Sequence, residues 1–154
     1  MVKINELPII YVGPIMKILI TGGRTYQDID SIRTVLTYLK EGAEITIIHG
    51  AARGADSLAG FVAKELGMNV VAEPADWKRY GRGAGPIRNQ QMLDMNPDIV
   101  IYFHKALADS KGTKDMVNRA KAKGTSIING DLTAKLISQG KYNGWTLETD
   151  LKPL

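Results

Sequence analysis

The sequence predicts a single α/β domain in which a mostly parallel sheet is covered by helices on both faces. The chain has 154 residues, of which 44% are hydrophobic and 23% charged, as in one ordinary globular domain. Short apolar segments alternate with segments of helical periodicity, which is typical of strands joined by crossover helices. The apolar segments are nearly continuous, which indicates strands buried on both faces.

The first strand and helix follow directly from this periodicity. Lys17–Thr21 is a short apolar run that ends at two glycines, which predicts a buried strand. In Asp30–Lys40 apolar residues recur at intervals of three and four, which predicts a helix with one buried face. Its predicted inward residues are Ile32, Val35, Leu36 and Leu39. Asp28 or Asp30 is expected to cap this helix and Gly42 to end it.

The next strand–helix unit repeats the pattern. Glu44–His49 is predicted to be the second strand, and Asp56–Leu66 a helix that ends at Gly67. The apolar residues at helical spacing in this helix are Leu58, Val62 and Leu66. Met68–Ala72 is predicted to be the third strand.

The second half of the chain continues the alternation. Ile87–Met95 is predicted to be a helix with Pro86 at its first position, and Asp98–Phe103 to be the fourth strand. Thr113–Lys123 is predicted to be a helix that ends at Gly124, and a fifth strand lies around residues 126–128. The predicted inward residues of this helix are Met116, Val117 and Ala120.

We expect residues 16–130 to form a Rossmann-like domain, because strand and helix alternate throughout this stretch. Residues 1–15 are an N-terminal extension, expected to be an added strand, a disordered lead or a cloning remnant. The alternation of strand and helix patterns weakens after residue 128. There Asp131–Gln139 is expected to form a short helix and Tyr142–Thr149 a turn or strand. Residues 131–154 are therefore expected to form a C-terminal extension packed on the same domain.

Composition excludes several kinds of chemistry. The chain has no cysteine, which excludes disulfides, zinc–thiolate sites and thiol catalysis, and fits a reducing cytoplasm. Only two histidines are present, so no metal site is expected. No apolar run approaches the roughly 18–20 residues that span a bilayer, and the N-terminus does not resemble a signal peptide. We expect a cytoplasmic protein with no membrane partner.

The loops that follow the strands are longer than the loops that return from the helices. They are residues 22–28, 50–55, 73–85 and 104–112. In an open parallel sheet such loops share the carboxyl edge, where these folds bind ligands. Arg24, Arg53 and Arg88 converge there with most of the glycines. The formal net charge of +4 suits an anionic ligand but is too small, without a clustered patch, to predict a nucleic-acid partner.

Gly22, Gly23, Arg24 and Thr25 follow the first strand. Glycines at this point let backbone N–H groups approach an anion closely, and the arginine can bind a phosphate through two hydrogen bonds. The segment is neither the G-x-G-x-x-G fingerprint nor a P-loop, which argues against dinucleotide hydride chemistry and against nucleoside triphosphate hydrolysis. The alternative is a tight turn that requires glycine for its backbone alone.

The loop after the second strand contains Gly50, Arg53 and Gly54, and its small residues permit close approach of a ligand. The following helix N-terminus attracts anions. Asp56 has two interpretations, either the N-cap of this helix or a ligand group that accepts from ribose hydroxyls or acts as a base. His49, at the end of a strand, is interpreted as a structural histidine rather than a ligand.

The segment 76–89 contains two aromatic residues and four cations among glycines, which suits a flat base beside phosphate. The residues that we expect to bind ligand here are Trp77, Tyr80, Gly85, Arg88 and Asn89. The last two are expected in a first helical turn, where a cation is unfavourable unless an anion is near. The alternative is a solvated basic loop with one aromatic ring docked in the core.

Lys111, Gly112 and Thr113 open the fourth predicted helix. Free amides and a hydroxyl at a helix start are a phosphate-site arrangement. The alternative is that Thr113 is an ordinary N-cap.

Together these loops resemble a known family. HGAARGADSLA (residues 49–59), PADWKRYGRGAGPIRNQQML (residues 74–93), the strand Asp98–Phe103 and KGTKDMV (residues 111–117) are similar to the YspA/YpsA-related branch of the SLOG superfamily. That superfamily also includes DprA-type DNA-processing domains and LOG-type phosphoribohydrolases. The resemblance covers about residues 17–128. It implies a Rossmann-like domain that binds nucleotides or nucleotide-derived signals, often in prokaryotic or phage conflict systems, and it implies a homo-oligomer.

When the family's binding residues are carried over to the matching motif positions, the resemblance implies that the same loops at the carboxyl edge bind the ligand. The residues of this binding edge are Gly22, Gly23, Arg24, Gly50, Arg53, Gly54, Asp56, Trp77, Tyr80, Gly85, Arg88, Asn89, Gly112 and Thr113. LOG-type enzymes carry P-G-G-x-G-T-x-x-E, whose glutamate works at the N-glycosidic bond. Here Met116 stands at that position and the leading P-G-G is missing, and methionine cannot transfer a proton. Asp115 points elsewhere on the helix, which leaves Asp56 and Asp76 as weak catalytic candidates.

We therefore expect a binding module, with little or no catalysis, for an adenosine- or ADP-ribose-like phosphate ligand. It would act as a sensor or a sequestering protein, with no further cofactor. Phosphate is assigned to Arg24, Arg88 and the start of the fourth helix, the sugar to loop 50–56, and the base to Trp77 or Tyr80. An alternative is a hydrolase of nucleotide N-glycosidic bonds. A third hypothesis is single-stranded nucleic-acid binding, as in the DprA relatives, against which the small net charge counts.

Overall fold

Five parallel strands form one sheet in the computed structural model, which describes residues 15–40 and 44–142. The strands are β1 (Ile15–Gly22), β2 (Glu44–His49), β3 (Asn69–Ala72), β4 (Ile99–Phe103) and β5 (Ser126–Asn129). Their order across the sheet is β3-β2-β1-β4-β5, so the direction of chain progress reverses between β1 and β4. The predicted parallel α/β architecture is confirmed, and each predicted strand is present within one or two residues of its expected bounds.

The helices follow the predicted periodicity. They are α1 (Ile29–Lys40), α2 (Ala55–Glu65), α3 (Trp77–Tyr80), α4 (Ala84–Leu93), α5 (Gly112–Lys123) and α6 (Gly130–Ser138). The inward residues predicted for the first and fourth predicted helices, α1 and α5, are all buried. Asp28 caps α1, because its carboxylate accepts from the Ser31 N–H at 3.1 Å. Gly67 and Gly124 end α2 and α5 with φ angles of +76° and +82°, which only glycine adopts easily.

The core has two layers, one on each face of the sheet. On one face α1, α2 and α6 cover residues such as Ile18 and Ile20 of β1. On the other face α4 and α5 cover Leu19 of the same strand together with Val100 of β4. Successive residues of a strand point to opposite faces, so a strand covered on both sides is apolar throughout. None of the described helices is both long and apolar enough to cross a membrane.

The segment predicted as a long loop after β3 contains helical structure. Asp76 caps the four-residue α3 by accepting from the Arg79 N–H at 3.1 Å, and a 3₁₀ turn at Gly81–Gly83 leads into α4. The third long helix, α4, therefore begins at Ala84, and Pro86 is its third residue rather than its first. The prediction placed this start too late because local capping, not hydrophobic periodicity, determines it.

Some predictions fall on residues outside those described. They concern Gly42, residues 1–14 and residues 143–154.

Candidate nucleotide site at the carboxyl edge of the sheet

A cavity of about 360 Å³ opens where the strand order reverses between β1 and β4. Open α/β sheets bind their ligands in the crevice at this kind of point, and we call it the switch-point cavity. Its strand-side wall consists of Gly22–Arg24, Ala52 and Asp56, its helix-side wall of Arg88, Asn89, Met92 and Ser110–Thr113, and Thr21 and His104 complete the lining.

Close packing between backbones requires glycine at Gly22 in the strand-side wall and at Gly54 behind it. A Cβ atom on Gly22 would overlap the carbonyl oxygen of Phe103 and lie 2.5 Å from the Cβ of Ala55. Gly54 has a φ angle of +76°, and a Cβ there would overlap the carbonyl oxygen of Gly23. The loops after β1 and β2 are joined directly, because the Ala55 N–H donates to the Gly23 carbonyl at 3.1 Å. These contacts favour the alternative in which Gly22 is required for its backbone alone, and they show the same requirement at Gly54.

Asp56 is the second residue of α2, so its interpretation as the N-cap is wrong. Its carboxylate oxygen Oδ2 turns back to the preceding loop and accepts from the N–H groups of Gly50 at 3.0 Å and Ala52 at 3.3 Å. The residue is only 6% exposed. Burial raises the pKa of Asp56 to about 6, although both hydrogen bonds and the charges of Arg88 and Arg24 oppose the shift. A carboxyl group with a perturbed pKa in a cleft is typical of functional sites.

Arg88 reaches from α4 to the loop after β2. Its Nη1 donates to the Gly50 carbonyl at 2.5 Å, and its Nε donates to the Asn89 side-chain oxygen at 3.1 Å. Asn89 in turn donates to the carboxylate of Asp115 in α5 at 2.9 Å. Because α4 begins at Ala84, Arg88 is not in its first turn, and the argument from the helix dipole was wrong. The half-buried guanidinium is held in place by its neighbours, and burial lowers the pKa of Arg88.

The start of α5 forms the rest of the helix-side wall. Thr113 is the second residue of this helix, so its interpretation as the N-cap is wrong. The Thr113 N–H donates instead to Oγ of Ser110 at 3.1 Å, and Ser110 thus supplies the capping oxygen. Gly112 and the exposed Lys111 lie between them on the cavity lining. A phosphate at this helix start would compete with Ser110 for the Thr113 amide.

Trp77 and Tyr80 lie on α3, outside the lining of the switch-point cavity. Trp77 is 51% exposed, and its ring centre is 6.0 Å from the guanidinium carbon of Arg24, which connects α3 to the strand-side wall. A Cβ on Gly85 would lie 3.6 Å from the Trp77 ring, in ordinary contact. The ring of Tyr80 packs against the Arg79 guanidinium at 5.1 Å. Both aromatic rings are exposed, so neither docks in the core.

The other acidic candidates have structural roles. Asp76 is the exposed cap of α3. Asp115 binds Asn89 and accepts from Nε of Arg119 at 2.8 Å. Met116, at the position where LOG-type enzymes carry glutamate, is completely buried in the core. Its side chain cannot reach a ligand in the cavity.

His49 has the structural role that its position suggested. It is buried, its Nδ1 accepts from the Ala51 N–H at 2.9 Å, and burial lowers its pKa. Among the residues that the structure describes, no group of three or more histidine, aspartate and glutamate side chains is placed to hold a metal ion.

The structure brings about half of the predicted site residues together. The predicted residues that line the switch-point cavity are Gly22, Gly23, Arg24, Asp56, Arg88, Asn89, Gly112 and Thr113. Those outside this lining are Thr25, Gly50, Arg53, Gly54, Trp77, Tyr80 and Gly85. Sequence reasoning missed Thr21, Ala52, Met92, His104, Ser110 and Lys111 as lining residues. The sequence position could have identified two of them as lining residues, because His104 directly follows β4 and Ser110 precedes the start of a helix.

Comparison with known proteins identifies related chains. Residues 16–80 match the family described as YAcAr, the YspA, cpYpsA-related SLOG family. The Gene 61 protein of Mycobacterium phage D29 is 32% identical over 120 residues, which cover 73% of this chain and 94% of that protein.

Two solved structures share the fold at low sequence identity. DNA processing protein A (DprA) from Streptococcus pneumoniae has a TM-score of 0.59 and 20% identity, and the match covers 86% of this chain but only 58% of that one. DprA from Helicobacter pylori, whose structure was described for its single-stranded DNA binding mode, has a TM-score of 0.52 and 17% identity over 92% of this chain and 80% of its own. The similarity concerns the arrangement of strands and helices.

Proposed function

Because the chain belongs to the YspA, cpYpsA-related SLOG family, we propose that it binds a nucleotide or nucleotide-derived ligand in the switch-point cavity. The proposed ligand is an adenosine- or ADP-ribose-like phosphate, for which the protein acts as a sensor or a sequestering protein. The charge of the lining carries this proposal, since Arg24, Arg88 and Lys111 accompany a single carboxylate, Asp56. The volume of this cavity and the net positive charge of its lining suit a small molecule that bears phosphate.

Arg88 is the main phosphate-binding residue in this proposal. Its bonds to the Gly50 carbonyl and the Asn89 side chain fix its guanidinium before any ligand arrives. A side chain that is already ordered loses little conformational entropy on binding, so more of the interaction energy appears as affinity. Arginine also matches the geometry of phosphate oxygens better than lysine does.

The base is assigned to the mouth of the cavity, beside Trp77. The exposed indole of Trp77 and the guanidinium of Arg24 lie 6.0 Å apart, and a planar base can stack on either group. Arg24 also lines the cavity, so it can contact phosphate and base together.

Ultrafiltration tests the proposal directly. The purified chain is mixed with AMP, ADP-ribose, NAD and a cyclic dinucleotide, and the retained material is released by denaturation and identified by chromatography. We expect one ligand to be retained and released intact. Arg88→Ala should weaken its binding by more than about tenfold, as expected for loss of a charge-assisted contact.

Arg82→Ala is the matched control, because Arg82 is exposed and does not line the switch-point cavity. Its affinity for the retained ligand should stay within about twofold of the wild type. Equal affinity of Arg88→Ala and the wild type would remove Arg88 from the site. Retention of none of the four ligands would contradict the proposal as a whole.

Hydrolysis of an N-glycosidic bond is the second candidate function, and Asp56 is the observation that favours it. A carboxyl group whose pKa is about 6 can act as a general base near neutral pH, and this one lines the cavity. A free base or a new sugar phosphate in the filtrate would support this function. Asp56→Asn should then abolish turnover, and continued turnover would exclude Asp56 as the base.

Single-stranded nucleic-acid binding is a further candidate, favoured by the similarity in fold to the Helicobacter pylori DprA structure, which was described for its single-stranded DNA binding mode. Arg24, beside the exposed Trp77, offers the combination of cation and aromatic ring that binds single strands. An oligonucleotide that is retained at physiological salt with a steep salt dependence would support it. Retention at low salt only would indicate nonspecific attraction.

A further inference from the structure

A second cavity adjoins the switch-point cavity. Its volume is about 520 Å³, and its lining consists of Gly23, Thr25–Asp28 and His104–Ala106. We call it the Lys105 cavity. Gly23 and His104 line both cavities, so the two spaces meet at these residues. Thr25, a predicted ligand residue that does not line the switch-point cavity, lies here.

The two cavities differ in charge. The ammonium group of Lys105 is bound by two carboxylates, Asp28 at 2.8 Å and Asp131 at 2.7 Å. Tyr26 also donates its hydroxyl hydrogen bond to Asp131, at 2.6 Å. The only lysine of this lining is therefore already neutralised, whereas the switch-point cavity has an excess of cations. A second charged phosphate has little to gain in the Lys105 cavity, but a neutral group that forms hydrogen bonds does.

His104 and Gly23 define the junction. The Ala106 N–H donates to His104 Nδ1 at 2.9 Å, so Nδ1 is an acceptor and Nε2 carries the proton of the ring. A Cβ atom on Gly23 would lie 3.1 Å from Cδ2 and 3.2 Å from Nε2 of this imidazole. The imidazole thus packs directly against Gly23, and this contact places a hydrogen-bond donor, Nε2, at the junction of the two cavities.

We propose that the two cavities form one bipartite site, whose ligand is a nucleotide extended beyond its phosphates by a neutral group rich in hydroxyls, such as a second sugar. This inference rests on the proposed nucleotide binding. The phosphates occupy the switch-point cavity near Arg88, and the distal sugar occupies the Lys105 cavity. The hydroxyl of Thr25, the amide of Gln27 and Nε2 of His104 are the groups available to bind it.

Calorimetric titration with ADP and with ADP-ribose tests this inference, because the second ligand differs by the distal ribose. We expect the wild type to bind ADP-ribose at least tenfold more tightly than ADP. Gly23→Ala, whose methyl group would displace the His104 ring at the junction, should remove this advantage. Thr25→Val removes one hydroxyl from an exposed side chain and should weaken only ADP-ribose, by about three- to tenfold.

Gly83→Ala is the matched glycine control, because its Cβ would meet only Ile87, at 3.7 Å, and Gly83 lines neither cavity. It should change neither affinity. Equal affinity of the wild type for ADP and ADP-ribose would overturn the bipartite site and leave the proposed nucleotide binding intact. Failure to bind either ligand would overturn the bipartite site, and the ultrafiltration experiment would then decide whether the proposed nucleotide binding stands. If Gly23→Ala does not fold, Thr25→Val decides, and equal weakening of both ligands by it contradicts the inference.

Discussion

The two walls of the switch-point cavity are built in different ways. In the strand-side wall, Gly22 packs against other backbones so closely that a methyl group has no space, and the same holds for Gly54 behind this wall. In the helix-side wall, no atom of another described element lies within 4 Å of the position of a Cβ on Gly112. Hydrogen bonds between side chains of Arg88 and Asn89 hold that wall instead. The shape of the cavity therefore depends on one wall, while its ligand chemistry can be varied on the other.

Gly22→Ala should break the strand-side wall and have the largest effect. The new methyl group would overlap the Phe103 carbonyl oxygen and lie 2.5 Å from the Ala55 Cβ, and neither backbone can move without displacing β4 or α2. We expect the free energy of unfolding to fall by at least about 3 kcal/mol. Urea denaturation followed by circular dichroism measures it.

Gly112→Ala is the control for this substitution on the opposite wall. Because the space around Gly112 is open and the residue begins a helix, the free energy of unfolding should change by less than about 1 kcal/mol. Similar losses of stability for the two variants would show that the walls do not differ in the way described.

Asp56 is a buried carboxyl group in the strand-side wall, and its burial makes the free energy of unfolding depend on pH. Asp56→Asn should remove this dependence. Burial raises the pKa of Asp56 to about 6, so between pH 4 and 6 the native state binds more protons than the unfolded chain. The stability contributed by the protonated carboxyl is present below pH 4 and is lost as the pH rises through 6, by up to about 3 kcal/mol. The Asp56→Asn variant has no titratable group at this position and therefore cannot lose this stability.

Urea denaturation of both proteins at several pH values from 4 to 7 measures this difference. The free energy of unfolding of Asp56→Asn, relative to the wild type, should rise across this interval and become constant above pH 7. Any change in hydrogen bonding caused by the amide shifts the whole curve and does not alter its slope. Parallel curves for the two proteins would contradict the assignment of the raised pKa to Asp56.

Much of the fold could be predicted because its signals are repeated along the sequence. The buried face of α1 and the strands around Ile18 and Ile47 follow from hydrophobic periodicity, which many residues report together. The start of α4 could not be predicted in this way. It depends on the short helix capped by Asp76 and on a 3₁₀ turn, and each of these rests on one or two local hydrogen bonds.

The site was predictable where residue type and position agree. Arg24 and Arg88 combine a cation with a loop or helix at the carboxyl edge, and both line the cavity. The roles of Asp56 and Thr113 could not be predicted, because an N-cap and the second residue of a helix are only two positions apart in the sequence. Ser110 and His104 were missed since their types are common in loops and only the folded structure shows what they contact.

Ser110→Ala tests the helix-side wall with the smallest expected effect. Ser110 Oγ accepts from the Thr113 N–H at the start of α5, and a lost cap of this kind costs about 1 kcal/mol. Ser110→Thr keeps an acceptor in the extended backbone conformation found here, with φ −90° and ψ 138°, and should retain most of the stability. Urea denaturation of both variants measures the difference. A loss as large as that of Gly22→Ala would mean that the helix-side wall also supports the fold, because side chains that only define a ligand surface can be removed at little cost.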